Sequence, residues 1–505
     1  MTAIDPGSTV AVVGTGTMGQ GIAQVALVAG HPVRLYDAAP GRAAEAAAAI
    51  GRRLDRLVDK GRMTAADRDA ARARLVPVTE PAHLAGAALV AEAIVERLDV
   101  KRELFAALEA VIAEDALLAT NTSSLSVTAV AGALRHPGRL VGLHFFNPAP
   151  VLPLVEVVSG YATDPAAADT AYATAAAWGK TPVRCADTPG FLVNRLARPF
   201  YAEALRLYEE NAADPATLDA VLREGGGFPM GPFELTDLIG QDVNEAVTRS
   251  VWEGFHQDPK FTPSLAQRRL VEAGLLGRKS GRGWYDHAEG AARPEPATAE
   301  PCPPPAVVVV RDGGAGPVGE LPALIEEAGI KVVRERDGEE PGGSLRLPGG
   351  AVLALADGSP AGEAAGRRIQ FDLAFDYRSA SRIALAPSDS ALPGDVREAV
   401  GLFQALGKRV SVIEDVPGLV VARTVAMIID LAVDARARGV AAEADIDTAM
   451  RRGVNYPGGP FEWLDRLGAP WVCAVLTALS RQYGGGRYVP CRELRRRARG
   501  RKRVL

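Results

Sequence analysis

Three short motifs in this 505-residue chain occur twice, each pair at the interval that separates Lys180 from Lys408, 228 residues. Trp178-Gly-Lys180 returns as Leu406-Gly-Lys408, and Asp187-Thr-Pro-Gly-Phe191 returns as Asp415-Val-Pro-Gly-Leu419. Pro229-Met-Gly-Pro-Phe-Glu-Leu-Thr-Asp237 returns as Pro457-Gly-Gly-Pro-Phe-Glu-Trp-Leu-Asp465. One constant interval across three motifs marks a duplicated unit, since chance matches have no reason to keep register. Phe191, Leu192, Leu196 and Phe200 fall at helical spacing, so the duplicated unit reads as helical. A chain this long also exceeds what one core supports, and several domains are expected.

The N-terminal part is of another kind. Residues 9–13 (Thr-Val-Ala-Val-Val) have the composition of a buried strand. Gly14-Thr-Gly16-Thr17-Met18-Gly19 follows, then a helical run over 20–30 and a second strand over 32–36 that ends at Asp37. A glycine loop between strand and helix, with an acid closing the next strand, predicts a dinucleotide site. Gly14 permits the tight turn, Gly16 lets the backbone approach a pyrophosphate, and Gly19 lets helix pack on strand. The pyrophosphate would meet the positive end of the helix. Asp37 would hold a ribose 2′-hydroxyl and repel a 2′-phosphate, which favours NAD over NADP.

Strand patterns at 88–94, 117–120 and 140–146 continue this alternation. Ligands bind outside the carboxyl ends of such strands, where Asn121 and Ser123 follow the 117–120 strand; Asn121-Thr-Ser-Ser also reads as an ordinary helix-capping turn. His144 and Glu156 lie in two β-prone runs joined by a Pro-rich turn. Such a pair of strands can bring the two side chains together, and a carboxylate beside an imidazole fixes its tautomer and raises its basicity. The alternative is a core histidine satisfied by an ordinary hydrogen bond. Asn194 lies in the first turns of the helix expected after the 187–195 turn.

Charge and composition exclude several classes. A net charge of −4 gives no footprint for nucleic acid or an anionic membrane. The four cysteines, Cys185, Cys302, Cys473 and Cys491, are widely spaced, which argues against a metal site and suits a reducing compartment. The N-terminus lacks the pattern of a signal peptide, and no apolar run is long enough to span a bilayer; a soluble cytoplasmic protein is expected. Arg52, Arg53, Arg56, Lys60 and Arg62 form either a solvated face or a seat for the phosphates of a large anionic substrate. The basic run 492–503 is expected to be a disordered tail or a binder of acidic partners.

The predicted fold class is an α/β Rossmann domain followed by an all-α domain, with a second degenerate α/β segment and a second copy of the helical domain. The boundaries are 1–185 for the NAD-binding domain, 186–285 for the helical domain, 286–305 for a Pro/Ala/Glu linker, 306–410 for the degenerate segment, 411–490 for the second helical copy and 491–505 for the tail. Residues 311–316 (Arg-Asp-Gly-Gly-Ala-Gly) do not make a clean glycine loop. All six histidines lie at or before His287, and Asn194 maps onto Ala422. The second half therefore cannot repeat a histidine-based mechanism, and reads as structural or as shaping the site.

Taken together, Gly14–Gly19, Asn121-Thr-Ser-Ser-Leu125, Gly142-Leu-His-Phe-Phe-Asn-Pro148, Val155-Glu-Val157, the 187–195 motif and Pro229-Met-Gly-Pro-Phe-Glu-Leu235 resemble the L-3-hydroxyacyl-CoA dehydrogenase family. The resemblance covers about 1–285, and the repeat extends it to about 410–490; the two-copy layout is similar to bacterial enzymes of phenylacetate breakdown that act on 3-hydroxyadipyl-CoA. It implies NAD-dependent oxidation of an acyl-CoA substrate. His144 would be the base, Glu156 its orienting carboxylate, and Ser123 and Asn194 hydrogen-bonding partners of the reacting oxygen. Asp37, Glu96 and Lys101 would bind NAD, with Asn121 and Asn147 near the nicotinamide. The family also implies dimerisation through the helical domain, either between chains or between the two copies within one chain. Two rivals remain: a dehydrogenase of sugar acids of the L-gulonate type, and a non-catalytic NAD-binding protein of crystallin type.

Overall fold

In the computed structural model, residues 2–311, 318–335 and 343–500 are described. They form two compact units, Met1–Arg195 with Arg438–Val454, and Leu196–Ala437 with Asn455–Leu505. The first unit therefore contains a short piece of the C-terminal half.

The first unit is built on an eight-stranded sheet: β1 (Thr9–Val13), β2 (Val33–Tyr36), β3 (Leu75–Val78), β4 (Ala87–Glu92), β5 (Leu117–Thr120), β6 (Leu140–Phe145), β7 (Leu154–Ser159) and β8 (Thr181–Ala186). Their spatial order is β3-β2-β1-β4-β5-β6-β7-β8. All neighbours run parallel except β6 and β7. Strands buried on both faces explain the near-continuous apolar runs seen in the sequence; β1, for example, buries Val10, Ala11, Val12 and Val13. The core packs these strands against the helices Thr17–Val28, Arg42–Asp59 and Pro165–Ala177. The helix Glu443–Gly453 belongs to this unit and packs on β7 and β8.

The second unit holds a seven-stranded sheet: β9 (Val307–Arg311), β10 (Lys331–Glu335), β11 (Leu345–Arg346), β12 (Val352–Leu355), β13 (Arg368–Phe371), β14 (Arg382–Pro387) and β15 (Arg409–Val412), in the order β10-β9-β11-β12-β13-β14-β15. The β9–β10 pair keeps the parallel opening of a nucleotide fold, but β11 runs antiparallel to both its neighbours. The residues after β9 that would form the glycine loop, 312–317, lie outside the described residues, as do Arg501, Lys502 and Arg503 of the basic run.

The duplication is longer than its three motifs indicate. At the same interval, β6, β7, helix Pro165–Ala177 and β8 return as β13, β14, helix Pro393–Ala405 and β15. Helix Val421–Ala437 then answers the helical stretch 193–209, Glu443–Gly453 answers 215–225, and Pro460–Leu467 answers Pro232–Ile239. Both copies keep an antiparallel pair followed by a parallel one. The duplicated unit is thus a half-sheet plus the helices, not the helices alone. Packing preserves such a layout with little sequence identity, because volume and pattern suffice.

Two expectations are adjusted. Residues 286–305 carry no regular structure but are fastened down: the Ala299 amide donates to the Val410 carbonyl at 2.8 Å and the Cys302 amide to Gln404 Oε1 at 2.8 Å. The first part of the basic run is not a loose tail, since Arg492–Ala498 is a helix that buries Leu494 and is capped by Cys491.

The helical copies pack on each other within the second unit, helix Arg198–Glu209 against Val421–Ala437. Buried Glu203 accepts from Arg423 Nε at 2.8 Å, Arg487 Nη2 at 2.6 Å and the Tyr488 hydroxyl at 2.7 Å. Glu210 takes the other edge of the Arg423 guanidinium at 2.9 and 3.0 Å. Burial alone would raise the Glu203 pKa; Arg487 and Arg423 overcome it and hold it at about 2.

Candidate active site

The glycine loop has the three features its sequence predicts. Gly14 has φ +96°, and a Cβ there would lie 2.5 Å from the Ala93 carbonyl oxygen. A Cβ on Gly19 would lie 1.9 Å from the Gly14 carbonyl oxygen, so helix and strand meet here only without a side chain. Gly16 has nothing within 4 Å of its Cβ position, which leaves room at the helix N-terminus. No side chain caps that terminus and no acid stands in the first turn of the helix, so the amides of Thr17, Met18 and Gly19 face no competing carboxylate. Asp37 Oδ2 accepts from the Thr15 amide at 2.9 Å and the Thr15 hydroxyl at 2.6 Å, and Oδ1 from the Ala39 amide at 3.0 Å. Burial pushes the Asp37 pKa up, but these hydrogen bonds and Arg42 outweigh it and hold the carboxyl below its usual range. The residues present fit a dinucleotide with a free 2′-hydroxyl.

His144 and Glu156 stand directly opposite each other on β6 and β7. His144 Nδ1 and Glu156 Oε2 are 2.6 Å apart, with the residues 5% and 1% exposed. The carboxylate accepts from Nδ1–H, so the neutral ring carries its lone pair on Nε2. Phe146 and Phe191 flank the imidazole, with ring centroids at 4.6 and 5.8 Å. The other carboxylate oxygen, Glu156 Oε1, accepts from the amides of Leu192 (3.1 Å) and Val193 (2.8 Å). Glu156 therefore fixes both the imidazole and the turn that carries Asn194.

A hydrogen-bonded circuit joins the remaining candidates. Asn194 Nδ2 donates to the Ser123 carbonyl at 3.4 Å. Asn121 Oδ1 accepts from the Phe145 amide at 2.8 Å, tying the 121–125 loop to the strand that carries His144. Glu96 Oε1 gathers the Thr122 hydroxyl (2.6 Å) and the amides of Ser123 (2.9 Å) and Ser124 (3.1 Å). Lys101 lies buried, with its ammonium shared between Glu92 and Glu96, the latter at 3.3 Å. Burial raises the Glu96 pKa, and Lys101 with the loop donors more than offsets it, so the carboxyl stays below its usual range. Asn147 is exposed three residues beyond His144. Sequence reasoning missed Asp187 as a fastener: it accepts from the Ser126 hydroxyl at 2.7 Å and the Thr128 amide at 2.8 Å. Its place at the head of the duplicated Asp-x-Pro-Gly motif was the available signal. The Glu92–Lys101 pair had no sequence signal of its own.

The second copy shows what remains when chemistry is lost. Asp372 stands at the position of His144, and Ala384 at that of Glu156. Asp372 Oδ2 accepts from the amides of Val420 (3.0 Å) and Val421 (2.7 Å), the counterparts of Leu192 and Val193. One carboxylate, moved to the neighbouring strand, has kept the anchoring role of Glu156 while the imidazole is gone.

The arrangement on β6 and β7 offers an oriented imidazole and hydroxyl and amide groups beside a dinucleotide loop, the set needed for proton transfer coupled to hydride transfer. Among the described residues no group of three or more His, Cys, Asp or Glu side chains could hold a metal ion. Comparison with known proteins gives the same chemistry. The family pattern of the 3-hydroxyacyl-CoA dehydrogenase NAD-binding domain matches residues 9–188, and that of the C-terminal domain matches 190–287 and again 418–502. The chain belongs to the 3-hydroxyacyl-CoA dehydrogenase family. It is an NAD-dependent oxidoreductase. The reduced Rossmann-fold domain of 3-hydroxybutyryl-CoA dehydrogenase matches residues 353–417 of this dehydrogenase, the part that contains Asp372. The 3-hydroxyadipyl-CoA dehydrogenase of Escherichia coli is 46% identical over 492 residues, 97% of each chain. A solved 3-hydroxybutyryl-CoA dehydrogenase from E. coli K12 superposes with a TM-score of 0.88 at 44% identity, covering 97% of this chain and 98% of its own. The human mitochondrial hydroxyacyl-coenzyme A dehydrogenase is 40% identical over 288 residues, 55% of this chain and 90% of its own. The family thus includes a short form and the duplicated form seen here.

Proposed function

We propose that His144 is the general base that takes the proton from the 3-hydroxyl of an L-3-hydroxyacyl-CoA as it is oxidised to the 3-oxoacyl thioester. The observation that carries this reading is the buried His144–Glu156 pair at 2.6 Å, with no hydrogen bond to Nε2 from the described residues. NAD, when bound, accepts the hydride from C3. Glu156 holds Nδ1–H, stabilises the imidazolium that forms, and so lets the same ring return a proton when the ketone is reduced. Ser123 and Asn194 hydrogen-bond the reacting oxygen. Gly14, Gly16, Thr17, Met18 and Gly19 receive the pyrophosphate, and Asp37 the adenosine ribose. Lys101 acts through Glu96, which holds the 122–124 loop, with Asn121 and Asn147 at the nicotinamide end.

The exposed cations Arg52, Arg56, Lys60 and Arg62 supply a seat for the CoA phosphates. Arg53 beside them bonds Gln20 Oε1 at 2.9 Å, and Gln20 bonds the Thr15 carbonyl, so this face is continuous with the cofactor loop. Similarity along the whole length to a 3-hydroxyadipyl-CoA dehydrogenase supports a six-carbon dicarboxylic acyl group as the first candidate, in fatty acid or phenylacetate-type catabolism. The packing of helix Arg198–Glu209 on Val421–Ala437 supports an intrachain pseudo-dimer of the helical copies, with a homodimer of whole chains as the alternative. No helix among the described residues is long and apolar enough to cross a membrane; with four unpaired cysteines, this supports a cytoplasmic setting.

The test is NADH oxidation with acetoacetyl-CoA and with 3-oxoadipyl-CoA, followed by the loss of NADH absorbance. Turnover with either, and a higher kcat/KM for the dicarboxylic thioester, is expected. Activity with L-gulonate and none with any thioester would establish the sugar-acid reading instead. Asp37→Asn removes the charge but keeps an acceptor, and is expected to shift the NADPH-to-NADH ratio of kcat/KM upward by about tenfold, since one bad charge contact is worth ~1.4 kcal/mol or more. An unchanged ratio would remove Asp37 from the cofactor site.

A further inference from the structure

We propose that residues 438–454, a segment of the second helical copy, are a positioning element for the catalytic dyad. Three contacts within the first unit carry the proposal. The Ala186 amide at the end of β8 donates to the Val440 carbonyl at 2.8 Å. Asp445 accepts the Arg184 amide on the same strand. At the other end of helix Glu443–Gly453, the chain comes so close to β7 that a Cβ on Gly453 would lie 2.5 Å from Leu154 Cδ2 and 3.2 Å from Val193 Cγ2. Leu154 is two residues before Glu156 and points to the same face of β7. Val193 is the residue whose amide donates to Glu156 Oε1. The segment thus presses on both neighbours of the Glu156 carboxylate without touching the carboxylate itself.

The second unit repeats the arrangement around a sheet that has no dyad. The Glu414 amide donates to the Ala212 carbonyl at 3.1 Å, the counterparts of Ala186 and Val440. A Cβ on Gly225, the counterpart of Gly453, would lie 3.0 Å from the carbonyl oxygen of Arg382, the counterpart of Leu154. Each helical copy therefore supports a strand of the other copy's sheet, and only one of those strands carries a catalytic carboxylate. The duplicated half acts on the reaction through the segment it lends to β7 and β8. Close-packed contacts transmit small displacements, and a shift of about 1 Å at reacting groups costs up to ~10²-fold in rate. The proposal rests on the reading of Glu156 as the partner of His144.

The experiment compares Gly453→Val with Gly225→Val in the full-length protein. Amide exchange over residues 190–196, measured without substrate or cofactor, reports the Glu156 clamp directly. Turnover with NADH and the best 3-oxoacyl thioester, NADH affinity by fluorescence, and Tm complete the set. Gly453→Val is expected to speed exchange at Leu192 and Val193 about tenfold and to lower kcat about tenfold, with NADH affinity within about twofold. Gly225→Val is expected to lower Tm comparably while leaving exchange over 190–196 and kcat within about twofold. Adding Leu154→Ala to Gly453→Val makes room for the new side chain and is expected to restore part of kcat. Unchanged exchange and kcat in Gly453→Val, an equal loss of kcat in Gly225→Val, or no recovery in the double variant would each overturn the proposal. If Gly453→Val is insoluble, Gly453→Ala, whose Cβ alone meets Leu154, is read in the same way. If the unsubstituted protein turns over no thioester, the exchange data still decide the positioning role, and only the substrate reading falls.

Discussion

Replacing His144 with alanine is expected to lower kcat for NADH-dependent reduction of the preferred 3-oxoacyl thioester by about 10³-fold, within the range of general acid–base catalysis. NADH affinity should stay within about twofold, because the ring lies on β6 and the dinucleotide loop follows β1. Glu156→Gln makes a sharper test, since the two oxygens of Glu156 have different partners. Oε1 accepts two backbone amides, from Leu192 and Val193. The glutamine oxygen would be held there, which turns its NH₂ toward His144 Nδ1. That donor demands a lone pair on Nδ1 and puts the proton on Nε2, the tautomer that cannot accept a proton from substrate. Oxidation of the 3-hydroxyacyl thioester is therefore expected to fall about 10²-fold or more. Initial rates in both directions measure this. Wild-type rates in the His144→Ala protein would exclude the histidine from the chemistry.

Replacing Glu203 with leucine should give the largest loss of stability. The substitution leaves buried Arg487 without a carboxylate partner and Arg423 with Glu210 alone. Breaking a buried ion pair from one side costs about 3–5 kcal/mol, which for a unit of this size lowers Tm by about 10 °C. Helix propensity is not at issue, because Leu431 stands buried at the equivalent position of the second copy. The pH dependence has a definite sign. Burial pushes the Glu203 pKa up, but Arg487 and Arg423 outweigh it and hold it at about 2, against an ordinary glutamate value of 4.5. A depressed carboxylate pKa stabilises the fold above the unfolded value, by about 3 kcal/mol, and that contribution fades as pH falls from about 4.5 toward 2. Acid titration followed by circular dichroism should show the wild type losing this increment over that window, and Glu203→Leu with a flatter dependence there. Equal acid midpoints and equal Tm values would show that the network contributes nothing net.

The boundary between what was legible in sequence and what was not follows the range of the interactions. The dinucleotide loop was legible because its requirements are local: positive φ at Gly14 and the missing Cβ at Gly19 restrict both positions to glycine, and Gly16 between them leaves the helix N-terminus open. The helical duplication was legible where turns and caps demand particular residues, as at Asp187-Thr-Pro-Gly and Asp415-Val-Pro-Gly. Through β13, β14 and helix Pro393–Ala405 it was legible only as a degenerate α/β segment, because packing accepts many apolar substitutions and Leu406-Gly-Lys408 alone survived. His144 and Glu156 could be named as candidates from their strands and the turn between them, whereas their direct opposition depends on the β6–β7 register.

The sequence by itself determined the order of modules, the nucleotide loop with its acid, the residue types of the dyad, and the loss of histidine from the second half. These are matters of local conformation and of which chemistry each side chain can perform. Only the tertiary structure decided that Glu156 serves His144 and the Val193 turn at once, and that Asp372 inherits the second duty alone. It also decided that Lys101 is held inside by Glu92 and Glu96, and that residues 438–454 belong with the catalytic sheet. These contacts join positions from five to several hundred residues apart, and even the nearest depend on strand register and on which side chains are turned inward; partners are chosen by packing and by the need to satisfy buried polar groups, and neither leaves a trace in spacing along the chain.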